Sequence, residues 1–276
     1  MKLIVTGADG QLGSELQKTL DKHDVYPVDI EELDITDFEE VKLQVADFRP
    51  EIIFHAAAFT DVDGAELNPD MAYKVNAIGT QNLAVAARAV GAAILYISTD
   101  FVFDGSKATP YNEFDSVNPL SVYGRSKLAG ERFIQTLTNY FYICRTAWLY
   151  GEGGHNFVKT MLKLGAEGQP VRVVDDQIGS PTSAADLAAI VTEVGLSGRF
   201  GVYHTTNAGE TSWHGFAKKI FELSDMTVDL QPIKTDQMER PATRPPFSVM
   251  RSLALELQGL KGMRSWEEAL ADYLGV

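Results

Sequence analysis

The chain has 276 residues, of which 45% are hydrophobic and 22% are charged. This composition supplies enough apolar material for a full core and excludes a disordered chain. The 24 basic and 38 acidic residues give a formal net charge of −14, which disfavours binding to nucleic acid or to anionic membranes. We therefore expect a globular protein without a nucleic-acid or membrane partner.

The N-terminal segment and the cysteine content bear on the cellular compartment. The apolar run after Met1 is too short for a signal peptide, and no stretch reaches the apolar length of a membrane span. Cys144 is the single cysteine, so no disulfide can form within the chain, which is typical of a reducing compartment. We expect a cytoplasmic protein in which Cys144 is a buried, unreactive thiol.

Short apolar strands alternate with helices over the first half of the chain. The hydrophobic spacing predicts strands at 3–6, 26–30, 51–55, 93–97 and 140–148, and helices at 11–20, 37–48, 72–90 and 121–137. Strands that are apolar throughout and alternate with helices are typical of a parallel sheet covered on both faces. The sequence therefore predicts an α/β fold with a doubly wound parallel sheet.

The pattern becomes less regular after Gly151. Helices are predicted at 156–165 and 184–194, strands at 171–174 and 202–205, and a proline-rich turn at 240–246. This change predicts a smaller C-terminal domain that is interleaved with the first one.

A glycine-rich loop at residues 7–13 separates the first predicted strand from the first predicted helix, and its pattern is GxxGxxG. Such glycines permit a tight turn, a close approach of backbone to a pyrophosphate, and close packing of helix on strand. The free N–H groups at the helix N-terminus attract phosphates. The loop predicts dinucleotide binding and makes the sheet Rossmann-type.

Asp29 lies 22 residues beyond Gly7, at the end of the second predicted strand. An acid at this place accepts hydrogen bonds from the adenosine ribose and repels a 2′-phosphate, which favours NAD. Glu31 and Glu32 follow directly and weaken the signal. The choice between NADH and NADPH stays open.

Tyr123 and Lys127 are four residues apart and share one face of a predicted helix. An ammonium group beside the phenol favours the phenolate, so we expect it to lower the pKa of Tyr123 from about 10. Thr99 ends the fourth predicted strand, and ligands of open α/β sheets bind at the carboxyl ends of the strands. Thr99 and Tyr123 are therefore predicted to meet at one carbonyl oxygen, as a hydride-transfer enzyme requires.

Several longer segments carry a family pattern. They are TGADGQLG (6–13), LDITD (33–37), AAAFTDVDGAE (56–66), VNAIGT (75–80), STDFVFDG (98–105), PLSVYGRSKLAGE (119–131), RTAWLYG (145–151), NFVKTML (156–162) and DQIGSPT (176–182). With these segments the sequence resembles the extended short-chain dehydrogenase/reductases and, within them, the dTDP-4-dehydrorhamnose reductase family. The resemblance covers nearly the whole chain. His55 departs from it, because family members often have Asn there, and we interpret this histidine as structural.

The resemblance implies a role for individual residues. The cofactor-binding set consists of Gly7, Gly10, Gln11, Leu12 and Gly13 at the phosphates, Asp29 at the adenosine ribose, Asp34 and Ile35 beside the adenine, Ala56, Ala57 and Ala58 along the cleft, and Tyr123 and Lys127 at the nicotinamide end. The catalytic set is Thr99, Tyr123 and Lys127. The candidate substrate contacts are Thr60, Val62, Thr99, Trp148, Asn156 and Arg244.

The implied reaction is the reduction by NADPH or NADH of the C4 ketone of dTDP-4-dehydro-L-rhamnose to dTDP-L-rhamnose, the last step of dTDP-rhamnose biosynthesis. A dinucleotide-binding domain is expected at 1–150 together with about 178–206, and a substrate domain at about 151–177 together with 207–276. The partner is then a nucleotide sugar.

Other readings remain open at this point. Another nucleotide-sugar reductase, epimerase or dehydratase of the same fold would carry similar motifs, as would a non-catalytic dinucleotide-binding regulatory subunit. Metal-linked dimers occur in part of the family, but the carboxylates here are spread along the chain, so we expect no metal site. The expected state is a monomer or a homodimer.

Overall fold

The computed structural model describes residues 1–276. Its strands are β1 (Lys2–Thr6), β2 (Asp24–Val28), β3 (Ile52–His55), β4 (Ala93–Thr99), β5 (Phe141–Thr146), β6 (Leu149–Tyr150), β7 (Val171–Val174), β8 (Ile178–Gly179), β9 (Thr182–Ser183), β10 (Gly201–His204), β11 (Thr211–Ser212) and β12 (Leu230–Ile233).

Eleven α-helices surround these strands. They are α1 (Gln11–Thr19), α2 (Phe38–Phe48), α3 (Val62–Leu67), α4 (Pro69–Tyr73), α5 (Thr80–Val90), α6 (Val122–Leu137), α7 (Phe157–Ala166), α8 (Ala184–Leu196), α9 (Trp213–Leu223), α10 (Leu253–Leu257) and α11 (Trp266–Leu274). Two 3₁₀ turns lie at Asp100–Val102 and Thr235–Gln237. None of the helices combines the length and the apolar character that crossing a bilayer demands.

Six parallel strands form the central sheet, in the order β10-β5-β4-β3-β1-β2. The chain runs from β1 to β2 on one side and then returns to β3 on the other side of β1. At such a reversal the connections diverge and leave a crevice outside the carboxyl ends of the strands. The predicted α/β class and the doubly wound parallel sheet are confirmed.

The two faces of the sheet bury separate cores, because successive side chains of a strand point to opposite faces. Leu3 and Val5 of β1 pack with α1 and α8, whereas Ile4 packs on the other face with α2 and α5. The strands β3 and β4 are buried along their whole length. This two-sided burial is the reason why the strands are apolar throughout.

The helix predicted at 72–90 is interrupted. α4 continues into a π-helical segment, Lys74–Gly79, before α5 begins. Asn76 lies in this segment, where its side chain accepts a hydrogen bond from the N–H of Phe59 (2.8 Å) and donates to Oγ of Ser126 in α6 (3.0 Å). Through Asn76, the π-helical segment therefore links α6 to the loop after β3. The spacing of hydrophobic residues in the sequence cannot predict this link.

A third core lies beside the sheet and is built by the C-terminal half of the chain. Val158 of α7, Phe216 of α9 and Trp266 of α11 pack against the two-stranded sheet formed by β7 and β12. α10 is an exception, because Leu255 packs in the core beneath α1 and α8. On the basis of this packing, we propose that the chain is divided into a dinucleotide-binding part and a substrate part. α10 then belongs to the dinucleotide-binding part.

A buried ion pair joins α6 to the centre of the sheet. Glu131 of α6 and Arg145 of β5 form two hydrogen bonds, of 2.9 and 2.7 Å, and their side chains are 1% and 6% exposed. Ser98 of β4 donates a further hydrogen bond to Glu131 (2.5 Å), and the guanidinium lies over the ring of Phe103. These contacts fix the helix against the ends of β4 and β5.

Replacing Glu131 by alanine is expected to lower the free energy of unfolding by about 3–5 kcal/mol, because the charge of Arg145 is left buried without a partner. Urea denaturation measures this loss. The double variant Glu131→Leu/Arg145→Met removes both charges and is expected to recover most of the stability. A single variant that loses less than about 1 kcal/mol would contradict a structural role for the pair.

Candidate functional site

A cleft of about 1210 Å³ runs along the carboxyl ends of the sheet strands. It brings together all the predicted site residues except Asn156: Gly7, Gly10, Gln11, Leu12, Gly13, Asp29, Asp34, Ile35, Ala56, Ala57, Ala58, Thr60, Val62, Thr99, Tyr123, Lys127, Trp148 and Arg244. The cleft lies at the reversal between β1 and β3, where the topology places a ligand crevice.

The glycine loop closes tightly at one end of this cleft. Gly7 has a φ of 68°, and a Cβ there would lie 2.7 Å from the backbone nitrogen of Ala57. A Cβ at Gly13 would overlap the carbonyl oxygen of Gly7, so α1 packs directly on the loop. No side chain caps the N-terminus of α1 and no acidic residue lies in its first turn. Its free N–H groups therefore face the cleft without an internal anion.

Acidic side chains line the part of the cleft beside β2. The carboxylate of Asp29 accepts a hydrogen bond from the N–H of Asp9 (3.0 Å). The N–H and hydroxyl of Thr36 hold the pKa of Asp34 below its usual value. The lining residues next to β2 include Asp9, Asp29 and Asp34 but no cation. An adenosine ribose fits this end better than a 2′-phosphate does.

The N-terminus of α6 is fixed so that Tyr123 reaches the end of β4. Ser121 caps the helix by accepting from the N–H of Gly124 (3.1 Å), and Glu66 of α3 accepts from the N–H of Val122 (2.6 Å). A Cβ at Gly124 would overlap the carbonyl oxygen of Phe101, which lies in the 3₁₀ turn directly after Thr99. This close approach explains the glycine after the tyrosine. Glu66 is a positioning residue that sequence reasoning missed, since it looks like an exposed loop acid.

Thr99 and Asp100 are buried at the end of β4, and the half-buried Tyr123 lies beside them. Thr99 donates a hydrogen bond to Oδ1 of Asp100 (3.0 Å), while Oδ2 of Asp100 has no partner. Burial raises the pKa of Asp100 to about 6. Burial also raises the pKa of Tyr123 to about 12, although the interaction with Thr99 acts in the opposite direction. The predicted lowering of the Tyr123 pKa by Lys127 is therefore wrong, and the phenol keeps its proton at neutral pH.

Lys127 lies one turn further along α6 than Tyr123. Its side chain is almost fully buried, and its Nζ lies 4.2 Å from the ring centre of Tyr96. Burial lowers the pKa of Lys127 to about 7, and the charge of Glu131 opposes this shift. The ammonium therefore has an aromatic face but no strong anionic partner in the ligand-free cleft.

A second cavity of about 660 Å³ adjoins the cleft and extends into the C-terminal half. Trp148 has a φ of 47°, and its ring stacks on Trp213 of α9 with 3.6 Å between ring centres. Both tryptophans line both cavities, together with Arg240 and Arg244. The sequence alone does not indicate a role for Trp213 in the cleft, because nothing along the chain shows that α9 faces it.

Comparisons with known proteins agree with this geometry. The sequence profile of the family described as RmlD substrate binding domain matches residues 1–276. The chain belongs to this family. It is 44% identical over 278 residues to a dTDP-4-dehydrorhamnose reductase of Streptomyces griseus, covering 98% of this chain and 91% of that protein. The spore coat polysaccharide biosynthesis protein SpsK of Bacillus subtilis is 41% identical over 275 residues, with coverages of 99% and 96%.

A solved structure of the same family has the same fold. It is the dTDP-4-dehydrorhamnose reductase from Bacillus anthracis str. Ames in complex with NADP, with a TM-score of 0.97 and 46% identity, covering 99% of this chain and 98% of that one. The resemblance drawn from the motifs is thus confirmed across the RmlD chain.

Two polar residues of this RmlD chain serve the structure rather than the cleft. Asn156 caps α7 by accepting from the N–H of Lys159 (3.0 Å), and it donates to the carbonyl of Gly151 and to the side chain of Gln11. It lies outside the cleft lining because both ends of its amide are used in these contacts. His55 is fully buried between the hydroxyls of Thr6 and Thr80, at 2.8 and 2.9 Å, which confirms its structural role.

No group of three or more His, Cys, Asp or Glu side chains is arranged to hold a metal ion. The acids near the cleft have internal partners instead. Asp61 caps α3, Glu66 binds the N-terminus of α6, and Asp63 pairs with Arg244.

Lys127→Met is expected to raise the free energy of unfolding of the ligand-free protein by about 2–4 kcal/mol at pH 7. The pKa of Lys127 is lowered from 10.5 to about 7 by folding, so between these values the unfolded chain binds more protons. The stability of the unaltered protein therefore rises with pH in this window. The gap in free energy of unfolding between Lys127→Met and the unaltered protein narrows towards pH 10.

Urea denaturation at pH 6, 7, 8 and 9 measures this gap. Lys22→Met, at an exposed lysine, is the matched control and is expected to show no pH-dependent gap. A gap that is absent at pH 7, or that widens with pH, would contradict the account of Lys127.

Proposed function

We propose that this chain reduces the C4 ketone of dTDP-4-dehydro-L-rhamnose to dTDP-L-rhamnose with NADPH or NADH, the last step of dTDP-rhamnose biosynthesis. The observation that carries the proposal is the meeting of Thr99, Tyr123 and Lys127 in one cleft with an uncapped helix N-terminus. Membership of the RmlD family supports the same reaction, since named reductases align with nearly the whole chain.

The cleft fits a nicotinamide dinucleotide. The uncapped N-terminus of α1 and the glycine loop would hold the pyrophosphate, and Asp29 would accept from the adenosine ribose. Asp34 and Ile35 would lie beside the adenine, and Ala56, Ala57 and Ala58 would leave space along the strand ends. Lys127 would donate to the nicotinamide ribose. The bound cofactor supplies the hydride that reduces C4.

The protein's own side chains donate the proton and stabilise the negative charge that develops on the ketone oxygen. Tyr123 enters the reaction protonated, because burial keeps its pKa near 12, and it donates that proton to the ketone oxygen. Thr99 turns its hydroxyl from Asp100 to the same oxygen and stabilises its negative charge. An ammonium at Lys127, one turn further along α6, would favour the phenolate that Tyr123 leaves behind.

The second cavity supports a nucleotide-sugar substrate. Phe157, Trp213 and Leu164 give it apolar walls, and Arg172 adds a cation. A pyrimidine nucleoside would lie here while its sugar reaches Tyr123 in the larger cleft. Thr60, Val62 and Trp148 would then contact the substrate, whereas Arg244 lines the cavity but is engaged by Asp63, and Asn156 lies outside it.

We further propose that the enzyme acts in the cytoplasm as a monomer or a homodimer and binds no nucleic acid. The single Cys144 is buried and unpaired, as is common in a reducing compartment. The net charge of −14 supports the expectation about nucleic acid.

Purified protein is expected to oxidise NADH and NADPH only when dTDP-4-dehydro-L-rhamnose is present, with dTDP-L-rhamnose as the product. Absorbance of the reduced cofactor follows the reaction, and the product is identified by mass. We expect the KM for NADH to be no higher than that for NADPH, because Asp9, Asp29 and Asp34 repel a 2′-phosphate.

Tyr123→Phe is the matched variant, because it removes only the phenolic oxygen. Its kcat is expected to fall at least about 100-fold while cofactor binding, followed by fluorescence, is retained. Full turnover by Tyr123→Phe would contradict the role of the phenol. Cofactor binding by the unaltered chain without any substrate-dependent oxidation would contradict the reductase function itself.

A further inference from the structure

The cleft and the second cavity meet at a narrow junction. The side chains that line both spaces are Phe101, Trp148, Trp213, Arg240 and Arg244. Three of them are aromatic, so Arg240 and Arg244 are the only charged groups at the junction. Both belong to the proline-rich turn between β12 and α10.

The junction is where a diphosphate must pass. This step rests on the proposed function, in which the ketone lies against Tyr123 in the larger cleft and the nucleoside fills the second cavity. The diphosphate joins these two parts of the substrate. It therefore crosses the junction, where two guanidinium groups are within reach.

Arg244 is already engaged within the protein. Its two terminal nitrogens donate to both carboxylate oxygens of Asp63 at 3.1 and 2.8 Å, and one of them also donates to the carbonyl of Ala242 (3.0 Å). The side chain is only 14% exposed. Asp63 also accepts from the N–H of Ala242 (3.2 Å), so the pair fixes the turn to α3.

Arg240 is much freer. Its closest approach to a carboxylate is 3.7 Å, to the Asp63 oxygen that Arg244 already uses, and its side chain is 47% exposed. Its Nε contacts only the sulfur of Met238, a weak acceptor. Its guanidinium donors are therefore available to an anion in the junction.

We propose that Arg240 is the residue that contacts the substrate diphosphate, and that Asp63 and Arg244 are positioning residues that hold its turn against α3. Two guanidinium groups share one carboxylate, so the junction keeps one unit of positive charge in a chain of net charge −14. A guanidinium matches a phosphate with paired hydrogen bonds. This assignment makes Arg240 a determinant of specificity for nucleoside diphosphate sugars.

Arg240→Met tests the contact with dTDP and with the nucleotide-sugar substrate. We expect about a 10- to 100-fold rise in the Kd of dTDP by calorimetry and in the KM of the substrate, as expected for loss of a charge-assisted contact. kcat and the KM for the reduced cofactor are expected to change less than about threefold. Arg240→Lys keeps the charge and is expected to recover part of the affinity.

The double variant Asp63→Asn/Arg244→Met distinguishes the role of Arg240 from that of Arg244. Because it removes the internal pair and keeps Arg240, it is expected to bind dTDP more tightly than Arg240→Met does. Arg132→Met, at an exposed arginine outside both cavities, controls for the change in net charge and is expected to leave the Kd unchanged.

The outcomes distinguish this assignment from the proposed function. A Kd for dTDP that is unchanged in Arg240→Met but lost in the double variant would overturn it and assign the diphosphate to Arg244. Failure of the unaltered chain to bind dTDP would overturn both proposals. Binding of dTDP that depends on Arg240, without turnover of the ketone, would support the contact and contradict only the reductase.

Discussion

The positions of Thr99 and Lys127 depend on the buried ion pair between Glu131 and Arg145. Burying two charges costs several kcal/mol, and the two paired hydrogen bonds, the hydroxyl of Ser98 and the ring of Phe103 offset this cost. The pair lies one turn of α6 beyond Lys127, and Ser98 directly precedes Thr99. A single set of contacts thus holds the end of β4 and the turn of α6 that carries Lys127 in register.

Burial also sets the protonation states that the chemistry needs. Burial keeps the proton on Tyr123 and weakens the charge of Lys127. The phenol is therefore prepared to donate a proton rather than to accept one. The spacing of Tyr123 and Lys127 in the sequence suggests a lowered pKa for the phenol instead, because spacing shows which groups are neighbours but not how far both are removed from water.

The sequence predicts the sheet and the glycine loop because their causes are local. The strands are apolar as a result of burial on both faces, Gly7 adopts a positive φ in a tight turn, and Gly13 packs on the carbonyl of Gly7 only six residues away. Trp213, Glu66 and Arg240 escape prediction because their roles come from tertiary contacts with distant elements. Asn156 shows the opposite situation, since the amide of this motif residue caps a helix and supports Gln11, and Asn156 lines neither cavity.

We expect a direct transfer of hydride from the cofactor to one carbon of the sugar. The most direct test uses NADPH carrying deuterium at both C4 positions of the nicotinamide ring, with dTDP-4-dehydro-L-rhamnose as substrate. We expect one deuterium at C4 of the dTDP-L-rhamnose formed, with one cofactor oxidised per product. Deuterium at another carbon, or a deuterium-free product without net oxidation of the cofactor, would contradict the account and indicate an epimerase or a dehydratase.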